Sequence, residues 1–131
     1  QRGFVSVAFA EFGRLVQLRA YARLFEGGLL LLGGGSRPDV NKSFDRAQAI
    51  VVLPINAVNI SLGERKIVIG PMEMTIDRPG VIRWFRVVDA QDNALLDGDV
   101  GRNNGDLPLT RTDVLAGDVM QVGGLSVALK A

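Results

Sequence analysis

The chain has no cysteine and no histidine in its 131 residues. The first absence removes disulfides, thiolate zinc sites and cysteine nucleophiles together. The second removes the usual general base near neutral pH, and with it the Ser-His-Asp triad, imidazole-ligated metals and histidine pH switches. Any catalysis would have to run on carboxylates, lysine or tyrosine, so the sequence reads as a non-enzyme without a cofactor. Aromatic residues are scarce, at one Trp, one Tyr and six Phe, which leaves little to line a sugar-stacking cleft. Long apolar runs are missing as well. The longest, "GGLLLLGGG" over residues 27–35, falls far short of the ~20 residues that span a bilayer, so no membrane partner is expected. The opening residues show no charged n-region followed by a small-residue cleavage site, so no secretory leader is expected either. Lysine is rare and no basic run occurs, which argues against nucleic acid as a partner.

What the chain does have is apolar residues, at 47%, and sixteen glycines, with a mean hydropathy of +0.21. Its length is that of one domain, residues 1–131. The apolar surplus points to surface buried between subunits, although a compact glycine-rich core gives the same statistic. A net charge of +1 conceals segregation. Residues 1–46 carry seven basic side chains against four acidic, residues 47–88 five against three, and residues 89–131 three against seven. A basic front and an acidic back suit contacts between neighbouring copies, and they are equally compatible with a plain solvated surface.

In "EFGRLVQLRAYARLFEGG", Leu15, Leu18, Ala22 and Phe25 recur at helical spacing, with Arg14, Gln17 and Arg23 between them. The Gly27-Gly28 pair is a natural stop, so a helix is expected over residues 11–27. Residues 1–10, with "GFVSVAFA", read as a strand or an extended arm. From residue 29 to 131 the pattern changes to short strands and turns. "LLLL" (29–32) ends in three glycines, and "SRPDVNKSFDRAQ" is a polar loop. "AIVVLPI" is a strand ending at Pro54. "AVNISL" places Val58, Ile60 and Leu62 on one face, "MEMTID" does so with Met72, Met74 and Ile76, and "LSVALK" with Leu125, Val127 and Leu129. This alternation, punctuated by Gly, Pro and Asn, predicts a mainly β chain, an antiparallel β-sandwich of about eight strands after one N-terminal helix.

"VIRWFRVV" (81–88) departs from the pattern because both faces are apolar. Val81, Phe85 and Val87 share one, and Ile82, Trp84 and Val88 the other, each interrupted by a single arginine. Such a strand is covered on both sides, by a second sheet within and by the helix or another subunit without. Trp84 is therefore either a core aromatic or an interface anchor. The residues named as interface candidates are Trp84, Phe85, Leu18, Tyr21 and Phe25.

The acid-rich stretch that follows, "DAQDNALLDGDVG", invites a cation or carboxylate reading. An EF-hand loop counted from Asp89 puts Ala94 where Gly is needed and Val100 where the closing acid is needed, so that reading fails. A glycosidase pair would need rigid neighbouring acids over an aromatic cleft. The simpler account is a hairpin: "RWFRVVD" runs up, "AQDN" turns with Asn93 in the left-handed conformation, and "ALLDGDV" returns, with Asp97-Gly98 a bulge or second turn.

The same segment carries a resemblance. "WFRVVD", the return strand "NALLDGDVG", "DLPL" (106–109), the "VLAG" corner (114–117) and the final alternating strand (119–129) resemble a C-terminal pattern in small structural proteins of tailed bacteriophages. "GGLLLLGGGSRPD" and "AIVVLPI" look like that family's upstream elements, although the family usually has an aromatic in the early strand where this chain has Leu32 and three glycines. The likeness spans about residues 14–130. It implies a jelly-roll-like sandwich and a capsid decoration or cement protein, located on the virion surface. The implied partner is the major capsid protein, whose neighbouring subunits such a protein clamps. The family carries no catalytic residues, so none are transferred. Self-association is expected too, a two-fold dimer being the commonest form. The competing readings are a carbohydrate-binding sandwich using Trp84, a tail or connector protein, and a hydrolase using Asp97 or Asp99.

Overall fold

The computed structural model describes residues 11–39, 41–63, 66–102 and 104–128. The arm expected over residues 1–10, the end of "LSVALK" and the side chain of Leu15 lie outside the described residues. Helix α1 runs Glu11–Phe25, two residues shorter than expected. Leu18 and Phe25 are fully buried and Ala22 packs beside them against the core, as their spacing requires. Burying a side chain the size of Phe25 stabilises the docking by roughly 1.5–3 kcal/mol. The helix ends where Gly27 turns left-handed (φ 79°). The Gly27 N–H then leaves the helix and donates to the Ile55 carbonyl at 2.9 Å, which ties the helix end to the strands.

The chain is mainly β, with twelve short strands among the described residues. The largest sheet contains β1 (Leu29–Gly33), β2 (Val51–Pro54), β7 (Trp84–Val88), β8 (Ala94–Arg102) and β9 (Leu107–Leu109), in the order β2-β1-β7-β8-β9. Three smaller ladders accompany it. β3 (Ile60–Leu62), β4 (Lys66–Ile69) and β12 (Leu125–Ala128) form one, β5 (Met72–Thr75) and β11 (Val119–Val122) another, and β6 (Gly80–Val81) and β10 (Asp113–Val114) the third. Pairing is antiparallel throughout the described ladders except between β8 and β9, which run parallel; the expectation of a purely antiparallel chain is corrected there. Leu30, Leu32, Phe85 and Val87 from the large sheet meet Ile67, Ile69, Met74, Val122 and Leu125 from the small ladders in one apolar cluster, together with Leu18 and Phe25 of the helix.

Three sequence expectations need revision. "AVNISL" is not one strand: residues 57–59 form a 3-10 turn, because the Asn56 N–H donates to Asn59 Oδ1 at 3.1 Å and the Asn59 N–H returns to the Asn56 carbonyl. Val58 therefore points to solvent instead of into the core. "VIRWFRVV" is broken as well. Val81 pairs with Asp113 of β10 while Trp84 pairs with Gly33 of β1, and the change of partner at residues 82–83 reverses the side-chain parity. Ile82 consequently joins Phe85 and Val87 in the core, and Val81 is left partly exposed. Finally, the outer face of β7 is covered by the protein's own polar loop: Phe44 meets Trp84, and the carbonyls of Asp39 and Lys42 accept from Arg86.

Each aromatic of the "WF" pair lies over a glycine on a neighbouring strand. A Cβ on Gly33 would stand 2.1 Å from the Trp84 ring, and one on Gly98 would stand 2.4 Å from the Phe85 ring. The first of the three consecutive glycines thus has a local reason. Gly33 makes room for the indole, whose Nε1–H donates to the Gly34 carbonyl at 3.0 Å.

Candidate functional site

The acidic stretch is built into the fold. Asp89 closes the hairpin: its Oδ1 accepts from the backbone N–H groups of Gln91 and Asn93, both at 2.9 Å, and its Oδ2 from the Asn93 amide at 3.0 Å. The Asn93 side-chain bond, seconded by the Asn93 backbone N–H, holds the Asp89 carboxyl below its ordinary range. The left-handed residue is Asp92 (φ 69°), not Asn93, whose backbone and amide are both committed to Asp89. The register slip falls earlier than Asp97-Gly98. Val87 pairs with Leu96 and Val88 with Ala94, so Leu95 is the bulged residue. Asp97 and Gly98 continue the regular ladder opposite Arg86 and Phe85. Asp99 meets Arg37 at 3.2 Å on the surface, and Asp106 accepts the Asp99 N–H at 3.0 Å. Among the described residues no group of three or more His, Cys, Asp or Glu is placed to hold a metal ion.

Asp97 has the most consequential partner. Arg86, only 1% exposed, donates Nε to Asp97 Oδ1 at 2.7 Å and Nη2 to Asp97 Oδ2 at 3.0 Å. The same guanidinium reaches outward to the carbonyls of Asp39, at 2.8 Å, and Lys42. One buried fork thus joins β7, β8 and the loop. Phe44 from that loop meets Trp84 edge-on, with ring centroids 4.7 Å apart. A cleft of about 300 Å³ remains between residues 41–44 and the hairpin turn at 92–94, with Leu31, Arg86 and Val88 in its lining. The signal for the ion pair was present in the sequence: an arginine on an apolar strand face needs a buried counter-charge, and the hairpin register supplies Asp97.

No family model, curated protein or solved structure matches this chain.

Of the five interface candidates, Trp84, Phe85, Leu18 and Phe25 are buried inside the chain's own core, each at 2% exposure or less. They hold the fold together and present no surface to a partner. A sugar likewise has no face of Trp84 on which to stack. Tyr21, at 46% exposure, is the one of the five that reaches the surface. It lies on the border of a feature that the helical reading missed. Val16, Ala20 and Leu24 are all exposed and stand at i, i+4 and i+8, a second apolar stripe on the side of α1 turned away from the core. An ordinary surface helix is apolar on one side only. Beyond Tyr21 the apolar surface dips into a groove of about 220 Å³ lined by Leu18, Tyr21, Phe25, Ile67, Leu95, Leu96 and Val127. The i, i+4, i+8 spacing was legible in the sequence; the exposure of that face was not. A second exposed apolar group, Leu115 and Val119, brackets the turn at residues 115–118, next to exposed Asp113 on β10.

Proposed function

We propose that the chain is a structural protein of a tailed-phage virion that binds the outer surface of the assembled capsid and clamps neighbouring major capsid protein subunits. The observation that carries this reading is the helix with apolar residues on both sides. Leu18, Ala22 and Phe25 serve the core, while Val16, Ala20, Leu24 and Tyr21 remain at the surface beside an apolar groove. Apolar patches of this kind mark protein contacts. The resemblance of residues 84–129 to phage structural proteins supports the same conclusion. So does the charge split between the two ends of the sequence, which suits ordered contacts between many copies.

The fold is read in this proposal as a jelly-roll-like sandwich, the large sheet facing the smaller ladders across the shared apolar cluster. A small scaffold of this kind, bound to the assembled shell and not to the loosened one, stabilises the shell by its binding free energy. The test is to mix the purified protein with expanded empty heads. Co-sedimentation at fixed stoichiometry, with a raised melting temperature of the heads, is the expected result. A folded protein that stays in the supernatant refutes the proposal.

A further inference from the structure

We infer that the outer face of α1 and its adjoining groove seat the 113–119 turn of a second copy of this chain, with Leu115 as the side chain that enters the groove. The inference rests on the reading of the chain as a multi-copy structural protein and names the contact between copies. On an ideal helix successive i+4 positions drift by about 40°, so Val16, Ala20 and Leu24 lead round to Tyr21 and from there into the groove. The result is an apolar band over the later turns of the helix, with half-buried Gln17 bordering it at the earlier end. Exposed Arg19 and Arg23 lie on the side away from the groove, and neither is in an ion pair among the described residues. The groove, at about 220 Å³, is smaller than the roughly 300–1,000 Å³ of small-molecule sites and of a size for one anchoring side chain.

The complementary part is on the same molecule. Leu115 is 66% exposed on a turn held by its own hydrogen bonds. Its N–H donates to Asp118 Oδ2 at 2.9 Å, Arg111 holds the same oxygen at 3.0 Å, and the Gly117 N–H donates to the Ile76 carbonyl at 2.8 Å. A knob fixed in advance loses little freedom on docking. Beside it, exposed Asp113 has no ion-pair partner among the described residues, and it belongs to the acidic end of the chain, as Arg19 and Arg23 belong to the basic end. Two α1 faces packed on each other would bring the arginines of both copies together, with exposed Glu26 at the end of each face. The unlike faces match in both charge and shape, so the contact is heterologous, the kind that repeats across an assembly. A 15-residue helix is about 22 Å long, and one face of it covers less than the ~800 Å² per partner of a stable complex. The contact is therefore weak between free molecules and gains strength when copies are held side by side.

The absence of cysteine makes the test direct. Ala20→Cys and Ala116→Cys, both at exposed positions, are prepared as separate proteins, mixed and oxidised. The mixed disulfide is expected to form about tenfold faster than one between Ala20→Cys and an Ala47→Cys control, the gain given by a contact of only about 1.4 kcal/mol. Adding Leu115→Ser or Asp113→Lys to the Ala116→Cys copy is expected to abolish that advantage. Circular dichroism confirms that each variant is folded, as is expected of changes at exposed positions. A mixed rate equal to the control, or a dominant disulfide between two Ala20→Cys copies, overturns the inference whether or not the protein coats heads. Cross-linking that persists in a protein that fails to coat heads supports the contact and overturns the capsid reading alone.

Discussion

Replacing Asp97 with Asn removes the counter-charge of a guanidinium that has almost no access to water. The two side chains are 2% and 5% exposed, and the 2.7 and 3.0 Å bonds between them are charge-assisted. Breaking such a pair from one side costs about 3–5 kcal/mol, because the remaining charge stays buried without a partner. In this variant one carboxylate oxygen also becomes an NH₂ group facing the donors of Arg86. Against a total stability of about 5–15 kcal/mol for a domain, a loss of ~3 kcal/mol is large. With a urea slope of about 1–3 kcal/mol/M, it moves the unfolding midpoint down by roughly 1–3 M. The chain's single Trp reports the transition from inside the affected region, since Trp84 packs on Phe44 of the loop that Arg86 holds. The decisive comparison is the double variant Arg86→Met with Asp97→Leu. It removes both charges and gives up the bonds to the Asp39 and Lys42 carbonyls, which belong to exposed residues and rehydrate when the loop lifts. Its expected cost is about 1–2 kcal/mol, less than that of the single change. A midpoint for Asp97→Asn within about 0.3 M of the parent, or a double variant less stable than the single one, refutes this account of how the loop is held.

Three further outcomes follow from the geometry. Gly33→Ala brings a methyl group into the Trp84 ring and is expected to cost about 1–3 kcal/mol of overpacking, read as a lowered melting temperature with altered near-ultraviolet dichroism; an unchanged melt shows that the indole has room to move. Phe44→Ala removes the edge-on contact with Trp84, worth about 0.5–1.5 kcal/mol, and is expected to shift Trp84 emission to the red while far-ultraviolet dichroism stays constant. Unshifted emission shows that the loop covers the indole without Phe44. The Asp89 turn is expected to hold as acid is added through the ordinary aspartate range near pH 3.9 and to loosen only below it. Its folded-state pKa is depressed, so its contribution is present above the unfolded value and disappears as pH falls through the folded one. Hydrogen exchange at the Gln91 and Asn93 amides follows this, and opening at or above the ordinary range contradicts it.

The sequence alone determined the helix, since Leu18, Ala22 and Phe25 repeat with the helical period. It also determined the strand character of Met72–Thr75 and Leu125–Ala128, where alternation is regular, and the hairpin after Trp84, where Asp, Gln and Asn interrupt two apolar runs. These features depend on neighbours a few residues apart. The tertiary structure decided what long-range pairing controls. It broke residues 81–88 between two partner strands, and it covered Trp84 with Phe44 and brought the Asp39 and Lys42 carbonyls onto Arg86. It also placed Trp84, Phe85, Leu18 and Phe25, four of the five expected contact residues, in the core and left Tyr21 outside with Val16, Leu24 and Leu115. Periodicity shows that a helix has two apolar stripes, but only the packing of one of them against β3 and β4 determines which remains for a partner.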